Sequence, residues 1–168
     1  MKMKKLLLIP ALAATASVAG ASIPINGFIE SKCVIQSDTA GMFGNPTVDK
    51  LSTKSADGGV MPIVRYDIVT ASKYKAVITT PTDFSNSPTL SDSVDWTSTT
   101  VAGQMSDSEM SVFNTDKVIY NNGHTTEFDL VKAGSVWFNV TSEAEYGYGK
   151  AFPSGNYTAL IVAECIAK

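Results

Sequence analysis

Two cysteines, Cys33 and Cys165, one histidine, His124, and one arginine, Arg65, bound the chemistry open to this chain. A lone imidazole has no thiol or hydroxyl motif to serve: the sequence holds no G-x-S-x-G and no H-E-x-x-H. A zinc site would need four ligands, and no second Cys or His stands near His124. Carboxylate pairs such as Asp92 with Asp95, or Glu143 with Glu145, have the residue types of a glycosidase, but 16 acidic residues generate such pairs by chance. The expectation is a protein that is not an enzyme and has no catalytic residues, no metal and no cofactor. The chemistry that remains is a disulfide between Cys33 and Cys165, expected if the chain passes through an oxidising compartment. It would close a loop long enough to remove roughly 5 kcal/mol of unfolded-state entropy on the chain model. It would also hold two Cα atoms about 4.4 to 6.8 Å apart.

The N-terminus supplies that compartment. Met1 to Lys5 carries three lysines, Leu6 to Val18 is apolar, and Ala19-Gly20-Ala21 fits the small-x-small cleavage rule, so residues 1–21 read as a secretory signal peptide. Ala14-Thr15-Ala16 offers an earlier cut, followed by more small apolar residues. The apolar run is shorter than the roughly 20 residues of a membrane span. A cut after Ala21 leaves 147 residues, enough for one domain with a sizeable core. It removes three lysines and no acid, leaving 10 basic residues against 16 acidic and a net charge of −6. That balance argues against nucleic acid, which selects clustered positive charge, and a single arginine argues against bidentate anion clamps.

The elements that must bring the cysteines together read as strands. Val60 to Ala71 is rich in β-branched and aromatic residues, Lys73 to Thr80 alternates, and Ala71-Ser72 between them reads as a tight turn or a bulge. Thr89 to Thr100 holds Leu90, Val94 and Trp96. Lys117 to Tyr120 and Thr125 to Val131 form a hairpin about Asn121-Asn122-Gly123, where Asn-Gly supplies the positive φ of a primed turn. Ser135 to Thr141 is a further strand, while Ser106 to Phe113 fits either a helical turn or a loop. The last strand, Asn156 to Ala167, places Tyr157, Ala159, Ile161, Ala163 and Cys165 on one face and Leu160, Val162 and Ile166 on the other, which predicts burial from both sides. Trp96 and Trp137 are expected in the core, and His124 in solvent at the hairpin tip. Tyr146, Tyr148 and Phe152 fall in a Gly-rich loop and are candidate interface residues. Some seven short strands in one exported domain predict an all-β fold, an immunoglobulin-like antiparallel β-sandwich.

Ahead of the first cysteine, residues 22–32 alternate. Ile23, Ile25, Gly27, Ile29 and Ser31 share one side of an extended chain, with Pro24, Asn26, Phe28, Glu30 and Lys32 on the other. Either this is the first strand of its own domain or it completes the sheet of another.

The whole mature chain resembles the subunits of pili built by the chaperone-usher pathway. The resemblance rests on INGFIESKCVI (Ile25 to Ile35) behind a signal peptide and on PSGNYTALIVAEC (Pro153 to Cys165). The run from Tyr66 through Trp96 is similar to fimbrial major subunits of the alternate, or class 5, branch and of the archaic branch. In the type 1 branch the cysteines join the first two strands and an aromatic residue stands second from the end, whereas this chain ends Ile166-Ala167-Lys168. The resemblance implies an incomplete immunoglobulin-like sandwich at residues 33–168, completed by the donor strand of a neighbouring subunit. It casts residues 22–32 as the donor extension, with Ile23, Ile25, Gly27 and Ile29 in the inserting row. Tyr157, Ala159, Ile161 and Ala163 would border the acceptor groove. The implied partners are identical or related pilin subunits, a periplasmic chaperone, an outer-membrane usher and a host receptor, with no nucleic acid. The implied location is a cell-surface pilus reached through the periplasm, where the subunit supports adhesion. The competing expectation is a free-standing secreted β-sandwich, coat-like or carbohydrate-binding, whose N-terminal strand packs in cis.

Overall fold

The computed structural model describes residues 25–28, 32–69, 73–106, 118–147 and 149–168, and of residues 118–122 the backbone alone. The signal-peptide segment, Ile23, Ile29, the Ala71-Ser72 junction, Tyr148 and most of Ser106 to Phe113 lie outside the described residues.

Among the described residues, ten strands and one short 3-10 turn, Ser55–Asp57, make up the regular structure. The strands are β1 (Cys33–Thr39), β2 (Gly44–Thr47), β3 (Lys50–Ser52), β4 (Ile63–Ile68), β5 (Tyr74–Thr79), β6 (Val94–Met105), β7 (Val118–Asn122), β8 (Thr125–Leu130), β9 (Gly134–Tyr146) and β10 (Val162–Ala167). All pair antiparallel, in two sheets. The first runs β1-β4-β9-β3-β2 with β6 also on β9, and the second runs β10-β5-β8-β7. Residues of β9 that pair with β4 or β3 also pair with β6, so β6 lines one edge of β9 while β4 and β3 divide the other. The fold is an all-β antiparallel sandwich of the immunoglobulin-like class.

Period-two alternation builds its interior. Along β9, Val136, Phe138, Val140, Ser142, Ala144 and Tyr146 turn inward, and β4 and β8 alternate in the same way. Tyr66, Phe138, Ile78, Leu130, Val136 and Val140 are fully buried between the sheets. Phe138 meets Tyr66 edge-on at 5.4 Å between ring centroids and Phe128 at 4.4 Å. The hydroxyl of Tyr66, on β4, reaches the carbonyls of Val77 on β5 and Glu164 on β10, each at 3.2 Å, and so ties one sheet to the other. Burial drives its pKa well above the ordinary tyrosine value, so it stays a neutral donor. Ser142 is buried yet satisfied, its N–H donating to Thr53 Oγ1 at 2.9 Å and its hydroxyl paired with Ser98 at 2.8 Å.

The expected hairpin forms: β7 and β8 pair with Asn122 opposite Thr125, and Gly123 takes the positive φ of 60° that the turn requires. Other expectations shift. The strand read at Thr89 to Thr100 runs from Val94 to Met105, and the one read at Ser135 to Thr141 continues to Tyr146. Trp137 is not a core residue, because alternation along β9 turns it outward, where Arg65 covers its ring at 5.9 Å. His124 is half-buried, with Nδ1 3.4 Å from Thr80 Oγ1.

Candidate functional site

The disulfide sits where two edges nearly meet. Among the described residues β1 ends one side of the first sheet and pairs only with β4, and β10 ends one side of the second and pairs only with β5. Cys33 opens β1 and Cys165 lies near the end of β10, so the two strands run in opposite directions from their bridge. The bridge spans 6.5 Å between Cα atoms across 132 residues of sequence, as expected. Two residues further along each strand, Ile35 and Ala163 are no longer joined, and both line a cleft of about 730 Å³.

One wall of the cleft comes from β1 and the turn after it, Gly41 to Phe43; the other comes from Gly155 to Ile161 and Ala163. Its floor reaches core residues Leu51, Val64 and Ser142. Gly41 is required by close approach, since a Cβ there would fall 2.9 Å from Pro62 Cδ. Tyr157, Ala159, Ile161 and Ala163 all face the cleft, and each is half-buried. The expected burial of the last strand on both faces does not hold. Leu160, Val162 and Ile166 are 63%, 53% and 46% exposed: Val162 and Ile166 lie on the outward face of β10, and Leu160 precedes that strand at the wall of the cleft. Nor does the ladder begin at Asn156: residues 156–161 precede β10, and Thr158 is tied to Asn86 by backbone bonds of 2.8 and 3.2 Å instead.

The chemistry of the lining is its strongest character. Among the described residues no Asp, Glu, Lys, Arg or His lines the cleft; its polar groups are neutral, among them Gln36, Ser37, Asn156 and Tyr157. Among the described residues no group of three or more His, Cys, Asp or Glu is placed to hold a metal ion. What the cleft offers is apolar surface bounded by two strand edges whose outer backbone groups have no ladder partner among the described residues.

At the end away from the disulfide, aromatic rings close the structure. Phe84 packs edge-on against Phe43 (6.2 Å), Trp96 (4.8 Å), Tyr157 (5.1 Å) and Phe152 (6.0 Å). Tyr157 donates to the Pro153 carbonyl at 2.6 Å, and burial raises its pKa. Tyr146 belongs to this group and not to a loop. It ends β9, is buried, stacks on Phe152 at 5.2 Å, and its hydroxyl accepts from the Ser91 N–H at 2.9 Å. The Tyr146 ring is therefore covered by its own chain and is not at the surface where an interface residue was expected, and Phe152 is half-buried beside it. Sequence reasoning missed Phe43 and Phe84, since isolated aromatics in loops carry no periodic signal.

Of the N-terminal arm, Ile25 is 99% and Phe28 91% exposed, and Gly27 has open space around it. None of these described arm residues lines the cleft. No helix among the described residues is long and apolar enough to cross a membrane. No protein-family model matches this sequence, and no curated protein matches it.

Proposed function

We propose that the protein is a structural subunit of a surface pilus, exported through the periplasm, that polymerises by inserting residues 22–30 into the cleft of a neighbouring copy. The observation that carries this reading is the uncharged cleft between two unpaired strand edges. An extended segment entering there can add ladder bonds to β1 and β10 while alternate side chains descend toward the core, which is recognition by strand addition. The sequence of the arm has the matching pattern, with isoleucines at 23, 25 and 29 on one row. Burying three isoleucines contributes on the order of 5 to 9 kcal/mol. Ordering the arm costs about 1 to 2 kcal/mol per residue, and each ladder bond returns about 0.5 to 1.5. The balance is modest, so filament durability rests on a slow dissociation barrier more than on affinity. Before assembly a periplasmic chaperone shields the cleft and an outer-membrane usher receives the subunit.

The test compares the mature chain with one lacking residues 22–30, by size-exclusion chromatography and by gels of unboiled and boiled samples. The full chain is expected to give ladders that collapse on boiling, and the truncation a single species. Two identical stable monomers would overturn the reading in favour of a free-standing secreted module. Ile25→Asp is expected to block polymerisation and leave the fold of a chaperone-bound subunit intact.

A further inference from the structure

The sequence contains two Asn-Gly pairs, Asn26-Gly27 and Asn122-Gly123, and the fold treats them in opposite ways. We propose that Asn26-Gly27 is a site of spontaneous covalent modification, succinimide formation followed by hydrolysis, that limits how long an unassembled chain keeps a usable arm.

The reaction needs no partner but water. The backbone nitrogen of Gly27 attacks the side-chain carbonyl carbon of Asn26; a C–N bond forms, the ring closes, and ammonia departs carrying the proton lost from Gly27. Water then opens the ring at one of its two carbonyls, leaving aspartate or isoaspartate. One water enters, one ammonia leaves, and nothing is oxidised or reduced.

Three conditions favour it at Asn26. Glycine puts no Cβ in the path of attack and bends freely. Gly27 has no described atom within 4 Å of where a Cβ would stand; the same holds at Gly123, so open space permits the attack at both sites and the difference between them rests on the backbone pairing of the hairpin. Residues 25–28 are exposed and outside any strand, so water is present and no ladder bond occupies the nucleophile. At Asn122-Gly123 the same dipeptide is fixed. Asn122 pairs with Thr125 across the hairpin, Gly123 is set at φ 60°, and the next carbonyl, that of His124, accepts from the Thr80 N–H at 2.7 Å and from its hydroxyl at 3.0 Å.

The two products differ in what they do to the arm, and this consequence rests on the strand-insertion reading. Aspartate at 26 places its charge on the row opposite Ile23, Ile25 and Ile29. Isoaspartate routes the main chain through the former side chain and adds one methylene between Ile25 and Gly27. The strand's two-residue period is then broken, and Ile25 and Ile29 cannot seat together.

The experiment ages purified mature protein at mildly alkaline pH and follows isoaspartate at both sites by peptide mapping. Modification at Asn26 is expected to be about tenfold faster than at Asn122, or more. Equal rates, or a faster Asn122, would overturn the site. In boiling-sensitive ladders Asn26 is expected to be protected; undiminished modification there would overturn the insertion reading and leave the site standing. Asn26→Asp is expected to polymerise normally while aged isoaspartyl chains do not. Aged chains polymerising as well as fresh ones would overturn the time limit.

Discussion

The middle of this sandwich and its β1–β10 margin are made of the same alternating strands, yet they do different things. In the middle, β4 and β9 face β5 and β8, every strand has a partner on both sides, and Tyr66, Phe138, Ile78 and Leu130 are sealed from water. At the margin each sheet stops. A single disulfide joins the two edges, and beyond it the layers part around an uncharged cleft. Alternation alone therefore does not decide whether a strand stabilises or binds. On the proposed strand-insertion reading that depends on whether its edge has a partner, since an unpaired edge beside core-type surface is what strand addition uses.

The largest separation between the two regions is expected from truncating a ring at the centre. Phe138→Ala removes the contacts to Tyr66 and Phe128 and should cost about 3 to 5 kcal/mol in denaturant unfolding. Met42→Ala, at the rim of the cleft and 59% exposed, should stay within about 0.5 kcal/mol, yet weaken capture of a peptide spanning residues 22–30. Equal losses of stability would abolish the distinction.

Removing the bridge tests what holds the margin together. Cys33→Ser with Cys165→Ser should destabilise by about 2 to 5 kcal/mol and lower the yield of folded protein under oxidising expression. An unchanged yield would mean that the edges hold their places without it. Tyr66→Phe should cost less, about 1 to 3 kcal/mol, by leaving the Val77 and Glu164 carbonyls short of a buried donor. Because Glu164 lies on β10, this change is also expected to loosen the margin, seen as faster amide exchange in β10 than in β8.

The centre was the more legible region, for a physical reason. Strands such as Ile63–Ile68 and Thr125–Leu130 bury one face, and from Val64 to Ile68 and Glu127 to Leu130 apolar residues alternate with polar ones, a pattern that is local. The Asn122-Gly123 turn and the cysteine pair are local or countable features, and both were readable. The margin depends on tertiary contacts. Both faces of the last strand look apolar, and composition does not encode that Val162 and Ile166 lie exposed on its outward face. The row of Tyr157, Ala159, Ile161 and Ala163 is legible as one face of that strand, but its place beside a groove was expected only from the family resemblance, and Thr158 and Leu160 of the other row line the cleft as well. The short strands Gly44–Thr47 and Lys50–Ser52 escaped notice because neither is long enough to show a period. The opposite wall, Gly41 to Phe43, was missed because a turn acquires its role only through what folds against it.

The smallest expected effect concerns charge outside the cleft lining. Glu143 on β9 pairs with both Lys50 and Lys54. The Lys50 hydrogen bond, then that of Lys54, holds its carboxyl below the ordinary glutamate value, and the same bond holds the Lys50 ammonium above its own. The depressed glutamate adds stability that is complete above about pH 4.3 and is lost as pH falls through its lowered value; the raised lysine adds stability complete below about pH 10.4 and lost as pH rises through its raised value. Between those limits this cluster should contribute a flat term of about 0.5 to 1 kcal/mol, reduced by salt because the lysines are partly exposed. Glu143→Gln is therefore expected to shallow the acid limb of the stability profile and to leave binding of a 22–30 peptide unchanged. A shift in that binding would mean that the β3–β9 face and the cleft are coupled, through the adjacent buried pair of Thr53 and Ser142 that reaches the cleft floor.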